Sequence, residues 1–239
     1  MGKLDANRSA RDAVQRAIRL HREGRLDKAA ALYRRVLRSA PNDVDALHFL
    51  GVAEHHYGNH AKALELLARA IELAPEHPDL HNNRGNILKR LGRLEEAQAS
   101  FAEALALRPD DPDALNNMGC VVRERGNLDG AVELFRKAVA LRPAHADAMH
   151  NLGHGLGMLG RLDEAVVALR SAIAVRPGSA TAYRHLGAML SGLGHFDEVR
   201  RVYEAFGSPR CSSGDIPMSP ARPRRPARND WPTVMRRCP

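Results

Sequence analysis

Histidine is the residue type in this sequence that is best suited to bind a metal or transfer a proton. It occurs 12 times, and every copy precedes residue 207. His150 and His154 are four residues apart, so a helix would present both rings on one face. Together with the thiol of Cys120 they form a ligand set that suits zinc or copper. However, no CxxC or HExxH motif accompanies them, and Cys120 would have to come from a separate segment. We therefore predict polar contacts at these histidines, and no metal or other cofactor.

Two other patterns suggest chemistry but lack the context that it needs. The spacing Gly155-x-Gly157-x-x-Gly160 matches a dinucleotide-binding fingerprint, which requires a preceding strand and a following helix. Helical periodicity on both sides places it inside one helix instead. The second pattern, His48, His55, His56 and His60, is divided by a glycine at position 58. No Ser-His-Asp order, paired carboxylates or phosphate loop stands out, so we predict that the chain is not an enzyme.

The elements that position these residues follow from an internal repeat of 34 residues. Four columns of small or turn-forming residues share this spacing. They are glycines at 24, 58, 92, 126, 160 and 194; glycines at 51, 85, 119, 153 and 187; alanines at 29, 63, 97, 131 and 165; and prolines at 41, 75, 109, 143 and 177. Four columns in phase over five or six copies indicate a repeat protein.

Residues 78–111 illustrate one copy. Apolar residues recur at helical spacing up to Gly92, and a second helical run extends from Leu94 to Leu107 before Pro109. Each copy is therefore predicted to be a helix, a tight turn and a second helix. One pair cannot bury its apolar face alone, so we expect the pairs to stack as a solenoid.

This pattern resembles the tetratricopeptide repeat family. The family's Leu-Gly, Ala, apolar and Pro positions match Leu50-Gly51, Ala63, Leu67 and Pro75; Met118-Gly119, Ala131, Phe135 and Pro143; and Leu152-Gly153, Ala165, Leu169 and Pro177. The resemblance implies an all-α, right-handed superhelical solenoid of six helix-turn-helix repeats, starting near residues 10, 44, 78, 112, 146 and 180. Residues 1–9 would lead into the array. Glu54 and Arg84 depart from the family by occupying positions that are usually apolar.

The first helix of each repeat carries a polar stripe opposite its apolar face, at positions 2, 5, 6, 9, 12 and 13 of the repeat. In the family this stripe lines the concave groove. Asparagine recurs at position 6, where it either bridges neighbouring helices or holds the backbone of an extended peptide. The second interpretation makes the candidate peptide-binding residues Asn82, Asn83, Asn86, Asn116, Asn117, His150, Asn151, His154 and Arg184. This column resembles the asparagine ladder of O-linked N-acetylglucosamine transferases.

Aspartate recurs at position 2, where it either complements the helix dipole or makes the edge of the groove acidic, which would favour a basic or polar ligand (Asp45, Asp79, Asp113 and Asp147). The same column argues against one class of partner. Family members that grip acidic chaperone tails use Lys at position 2 and Arg at position 6, whereas this chain has Asp147 and Asn151 there. We predict that it does not bind such tails.

The formal charge of +8 lies mostly in residues 207–239, which hold seven arginines, two aspartates and half of the 14 prolines. Without periodicity, this segment is predicted to be a disordered tail. It could be a proline-rich ligand, a non-specific contact for anions, or the product of truncation or an out-of-frame reading. The positive charge therefore gives no reason to predict specific nucleic-acid binding.

The repeat pattern favours a protein-interaction scaffold that binds an extended peptide segment in its groove. The alternative is a substrate-recruiting N-terminal region of a glycosyl-, methyl- or sulfotransferase whose catalytic domain is missing from this chain. Three cysteines are too few for a disulfide framework, and no apolar run could be a signal or a membrane span. We predict a cytoplasmic protein with protein or peptide partners and no membrane contact.

Overall fold

The computed structural model describes residues 2–206 of the chain, with side chains from residue 11 onward. The tail predicted for residues 207–239 lies outside the described residues. The regular secondary structure of the described part is all α-helix, with helices α1 (Gly2–Arg22), α2 (Leu26–Ser39), α3 (Val44–His56), α4 (His60–Leu73), α5 (Pro78–Arg90), α6 (Leu94–Leu107), α7 (Pro112–Glu124), α8 (Leu128–Leu141), α9 (Ala146–Met158), α10 (Leu162–Val175), α11 (Ala180–Gly192) and α12 (Phe196–Ala205). Helix α1 includes most of the segment expected to lead into the array.

A glycine with positive φ ends the first helix of every pair, as the column of turn glycines predicts. At Gly92 φ is +73°, a conformation that costs other residues more because of their Cβ atom. The amide of Arg93 donates to the carbonyl of Leu88 at 2.9 Å, and that of Gly92 donates to Lys89 at 3.0 Å. These bonds cap the carbonyls at the helix end and turn the chain into α6.

The second glycine column sits where the two helices of a pair touch. A Cβ atom added to Gly85 in α5 would lie 2.7 Å from the Phe101 ring in α6, well inside van der Waals contact. Phe101 itself is completely buried, and so are Tyr33 and Phe135 at the equivalent position of other repeats. The small residue therefore makes room for the large one, which explains how so few aromatic residues are enough for the core.

The chain divides into two compact units, residues 1–121 (the N-terminal unit) and 122–239 (the C-terminal unit). In the N-terminal unit the core runs between successive helix pairs, from Tyr33 and Leu50 to Leu67 and Phe101. The described part of the C-terminal unit has its own core around Leu169. In both units helices pack chiefly against their neighbours in sequence, which is the architecture of a helical repeat solenoid.

Candidate functional site

The polar face of the N-terminal unit is built from the first helices of three repeats, α3, α5 and α7. The amide nitrogen Nδ2 of Asn83 lies 2.6 Å from Nε2 of His48. Nδ2 of Asn117 donates to Oδ1 of Asn82 at 3.1 Å. Both bonds join position 5 of one repeat to position 6 of the next, 35 residues along the chain. We call His48, Asn82, Asn83 and Asn117 the amide ladder.

The state of His48 is consistent with this bond. Burial, together with the nearby His77, lowers the pKa of His48 to about 4, so the ring is neutral at pH 7. A neutral ring with its proton on Nδ1 leaves Nε2 free to accept from Asn83. Asn83 and Asn117 therefore bridge neighbouring helices, which is one of the two interpretations that the sequence pattern of their column allowed.

Part of the ladder still faces outward. Asn82, Asn83 and Asn117 are only partly buried, as is Asn86 one turn further along α5. Each asparagine side chain has two donor hydrogens and an oxygen, and the bridging bonds use only some of them. Asn116 is different, because it is 8% exposed and engaged within the fold. Four of the five asparagines predicted in this unit are thus partly exposed.

In the C-terminal unit, three histidines from α9 and α11 form a stack. Nε2 of His150 lies 2.9 Å from Nδ1 of His185, and their rings are nearly parallel with centroids 4.9 Å apart. The ring of His154 stacks on His185 at 4.4 Å. The guanidinium of Arg123 contacts Nδ1 of His154 at 2.9 Å. We call His150, His154 and His185 the histidine stack.

All three rings resist protonation. Burial lowers the pKa of His154 to about 3, and the positive charge of Arg123 adds to the effect. Burial, followed by the neighbouring His150, lowers the pKa of His185 to about 4. The pKa of His150 is also lowered, by burial and then by Arg123. At neutral pH the stack is therefore uncharged and packs as part of the protein interior.

The residues predicted for peptide binding in this unit are mostly covered. His150, Asn151 and His154 expose 9%, 7% and 6% of their surface, whereas Arg184 is exposed. The pattern that predicted them missed His185, although it occupies position 6, the same column as the asparagines. Sequence reasoning also gave no partner to Arg123. Only a neighbouring repeat supplies these contacts, so no single repeat reveals them.

In the sequence, Glu54 stands out only as a charged residue at a usually apolar position, and the structure explains how this charge is accommodated. Its carboxylate is 1% exposed and accepts from Arg34 at 2.9 Å, Lys62 at 3.0 Å and Asn59 at 2.7 Å. Burial alone would raise the pKa of Glu54, but hydrogen bonds from Arg34, Asn59 and Lys62 outweigh it and lower the pKa to about 2. The buried charge thus ties together α2, α3 and α4.

Two aspartates of the position 2 column make ion pairs that join the start of a repeat to its end. Arg108, which follows α6, reaches Asp79 at the start of α5 at 3.0 Å, and Arg176 reaches Asp147 at 2.6 Å. Both pairs are about half exposed, so each contributes modestly to stability. The aspartates therefore have a structural role beyond the helix dipole.

Metal ligands do not converge in the part of the chain that the structure describes, where no group of three or more His, Cys, Asp or Glu side chains could hold an ion. Nδ1 of His55 and Nδ1 of His60 lie 3.0 Å apart across the Gly58 turn, as a hydrogen-bonded pair. None of the helices in residues 2–206 is both long and apolar enough to cross a membrane.

Solved structures with the same fold include a Pseudomonas aeruginosa pilF protein and PilW, described as a type IV pilus biogenesis factor. Both align with a TM-score of 0.77, at 18% and 21% identity. The first covers 87% of this chain and 95% of its own, the second 86% and 95%. YrrB, described as a TPR protein with an unusual peptide-binding site, aligns at 0.56 and 24% identity over 72% of this chain and 89% of its own. At these identities the likeness concerns the fold.

A comparison with curated proteins finds no match to this chain. Models of the tetratricopeptide repeat family match residues 14–78, 76–144 and 122–190. The three matches follow one another along the sequence and together span most of the helical array. Residues 14–190 therefore belong to the tetratricopeptide repeat family.

Proposed function

We propose that this chain is a non-enzymatic scaffold that binds an extended polypeptide across the amide ladder of its N-terminal unit. Tetratricopeptide repeat proteins are protein-interaction scaffolds, and the described chain consists of such repeats. A transferase that recruits substrates through its repeats would use the same polar face. The proposal therefore concerns the binding of a polypeptide, which both predicted functions share.

The observation that supports the proposal is the hydrogen-bonding capacity left on the ladder. Asn83 and Asn117 each use Nδ2 to bridge to the preceding repeat, which leaves their Oδ1 atoms available to a ligand. Asn83 and Asn117 occupy the same position of adjacent repeats, so two acceptors follow one another along the face. An extended peptide presents backbone N–H groups at regular intervals and would pair with such a series. The bridging bonds also fix the side-chain rotamers before binding, which lowers the entropic cost of association.

The ligand is assigned to the N-terminal unit because of what each unit exposes. Asn82, Asn83, Asn86 and Asn117 are all partly accessible. In the C-terminal unit, by contrast, His150, Asn151 and His154 are each more than 90% buried. Arg184 is the predicted residue of that unit that lies open to a partner.

Peptides selected from a random library against the full chain would test the proposal. We expect Asn83→Ala to weaken the selected peptide about tenfold, the usual effect of losing one well-placed hydrogen bond and its orientation. The measurement is isothermal titration calorimetry on protein whose helical circular dichroism is unchanged.

His48→Ala is the matched control, because it breaks the same bridge between α3 and α5 but keeps the amide of Asn83. We expect this variant to weaken binding by only about threefold, because Asn83 becomes less ordered but keeps its Oδ1 acceptor. Equal losses in both variants would mean that Asn83 only holds the repeats together. Unchanged binding in Asn83→Ala, or no peptide selected at all, would also overturn the proposal.

A further inference from the structure

Positive charge in the folded array is concentrated at its start. Residues 1–40 contain 11 basic and four acidic side chains, a net charge of +7, whereas residues 41–206 carry a net charge of −4. The apparent balance of the array thus hides a strongly basic first repeat, formed by α1 and α2. Such a local excess attracts anionic partners and accelerates their association.

The first repeat also has a cavity where this charge gathers. A crevice of about 590 Å³ lies between α1 and α2. We call it the basic crevice; its lining residues are Arg16, Arg19, Leu20, Glu23, Arg25, Lys28, Ala31 and Leu32. The lining thus combines five charged residues with three apolar ones, which we call the apolar strip.

Most of the cations at the crevice have no carboxylate partner. Arg25 pairs with Glu23 at 3.4 Å, and this pair is half exposed. Arg16, Arg19 and Lys28 make no ion pair with any side chain that the structure describes. Three uncompensated positive charges therefore remain around one opening, in contrast to Arg108 and Arg176, which are paired with aspartates.

Neighbouring acids form no ion pair with these cations in the described residues. Asp27, next to Lys28 in sequence, accepts a hydrogen bond from the hydroxyl of Tyr57 at 2.8 Å. Asp12 is exposed and forms no ion pair with Arg16, although it lies one helical turn away. The crevice thus keeps a net charge of about +3.

The apolar strip indicates what kind of anion fits. Leu20 and Leu32 are partly exposed and line the same crevice as the cations, so a ligand with both carboxylates and aliphatic side chains can contact both kinds of residue. A single-stranded nucleic acid would need aromatic side chains for stacking, and the crevice has none. A duplex would contact the cations alone and gain nothing from the leucines.

We propose that the basic crevice is a docking site for an acidic, amphipathic helical segment of a partner protein. Glutamate or aspartate side chains of the segment pair with Arg16, Arg19 and Lys28, and leucine-like side chains cover the strip. This site is separate from the amide ladder, which lies on α3, α5 and α7. A partner can therefore engage it whether or not a peptide binds to the ladder.

A synthetic helix of glutamate and leucine, labelled with a fluorophore, is the probe. We expect it to bind the full chain more tightly than a peptide with glutamine in place of glutamate, and to weaken as salt is added. In the variant R16E/R19E/K28E, we expect affinity to fall by about tenfold or more, since three attractive pairs become repulsive.

The control variant R11E/R22E/R90E changes the net charge by the same amount at exposed positions outside the crevice. We expect it to bind within about threefold of the original chain. Equal weakening in both variants would show attraction to net charge alone and overturn the proposal. Tighter binding of duplex DNA or of phosphatidylserine vesicles through the same three residues would also overturn it, as would no binding of the probe. Because Asn83 lies outside the crevice, Asn83→Ala should leave the affinity for this probe unchanged. Either proposal can therefore be overturned without the other.

Discussion

Glu54 is a buried charged side chain at the centre of a hydrogen-bond network in the second repeat. Its three donors come from different elements, with Arg34 in α2, Asn59 in the turn and Lys62 in α4. A carboxylate that is buried with such partners is stable only while all of them are present. The position therefore acts as a polar junction inside an otherwise aliphatic core.

Replacing Glu54 with Gln should destabilise the chain by about 1–3 kcal/mol at neutral pH, because Arg34 and Lys62 lose their charged acceptor. The pKa of Glu54 is lowered from 4.5 to about 2 in the folded chain. Its contribution is therefore present above pH 4.5 and is lost as pH falls towards 2. Urea unfolding at several pH values measures this. The exposed Glu72→Gln should have no such effect, and equal stability of the two variants at pH 7 would contradict the prediction.

The histidine stack predicts a second loss of stability at a higher pH. In the unfolded chain, these histidines bind protons with a pKa near 6.5. In the folded chain, the pKa of His154 is about 3 and that of His185 is about 4. Their contribution is thus complete above pH 6.5 and falls as pH drops from 6.5 towards 4. We expect a loss of about 3 kcal/mol per histidine over this range.

Unfolding of the variant H154Q/H185Q by urea between pH 6.5 and 4 tests this, and its stability should fall less steeply than that of the original chain. His195→Gln is the control, since His195 is exposed in the turn before α12. If the double variant kept the full pH dependence, the stack would not be its source.

Helix pairs are the elements that carry the fold, and each is held by a close contact between a small residue and a large one. Gly85 faces Phe101, Gly153 faces Leu169, and Gly51 faces Leu67. The contact is possible because the glycine lets the two helices approach each other. The glycine and the large residue that faces it therefore both set the distance between the helices. The turn glycine that follows has a separate role, since its positive φ redirects the chain.

Gly85→Ala should destabilise the chain by about 1–3 kcal/mol, because its Cβ atom would lie within 2.8 Å of three atoms of the rigid Phe101 ring. Thermal unfolding followed by circular dichroism measures the change. Gly178→Ala is the matched control, as nothing lies within 4 Å of its added Cβ atom. We expect this control to be neutral or slightly stabilising. A similar effect of both substitutions would show that packing at Gly85 is not tight.

The elements were predictable from the sequence because helix, turn and small-residue contacts relate residues at fixed spacing within one repeat. Gly92 and Phe101 are examples, as both belong to columns that recur along the chain. Contacts between repeats were not predictable in the same way. The partner of Asn83 is His48, whereas that of Asn117 is Asn82, so the same position makes different bonds according to its neighbour. Glu54 likewise depends on side chains from three elements.

At the largest scale, contacts within each unit join helices that follow one another in sequence, and the net charge also changes along the sequence. The first repeat is basic, and residues 41–206 are acidic overall. In a solenoid, each repeat influences mainly its neighbours, so distinct surfaces can be assigned to distinct repeats. The amide ladder on α3, α5 and α7 and the basic crevice on α1 and α2 are two such surfaces.

The bonds between position 5 and position 6 also limit how copies of the repeat can be rearranged by duplication. A tandem copy of residues 78–111 would set Asn82 against a new Asn83, which reproduces the amide pair now made by Asn82 and Asn117. A tandem copy of residues 44–77 would instead set His48 against Phe49, which has no side-chain hydrogen-bonding group. Duplication of the third repeat therefore adds a junction that carries the bond, whereas duplication of the second adds a junction that lacks it.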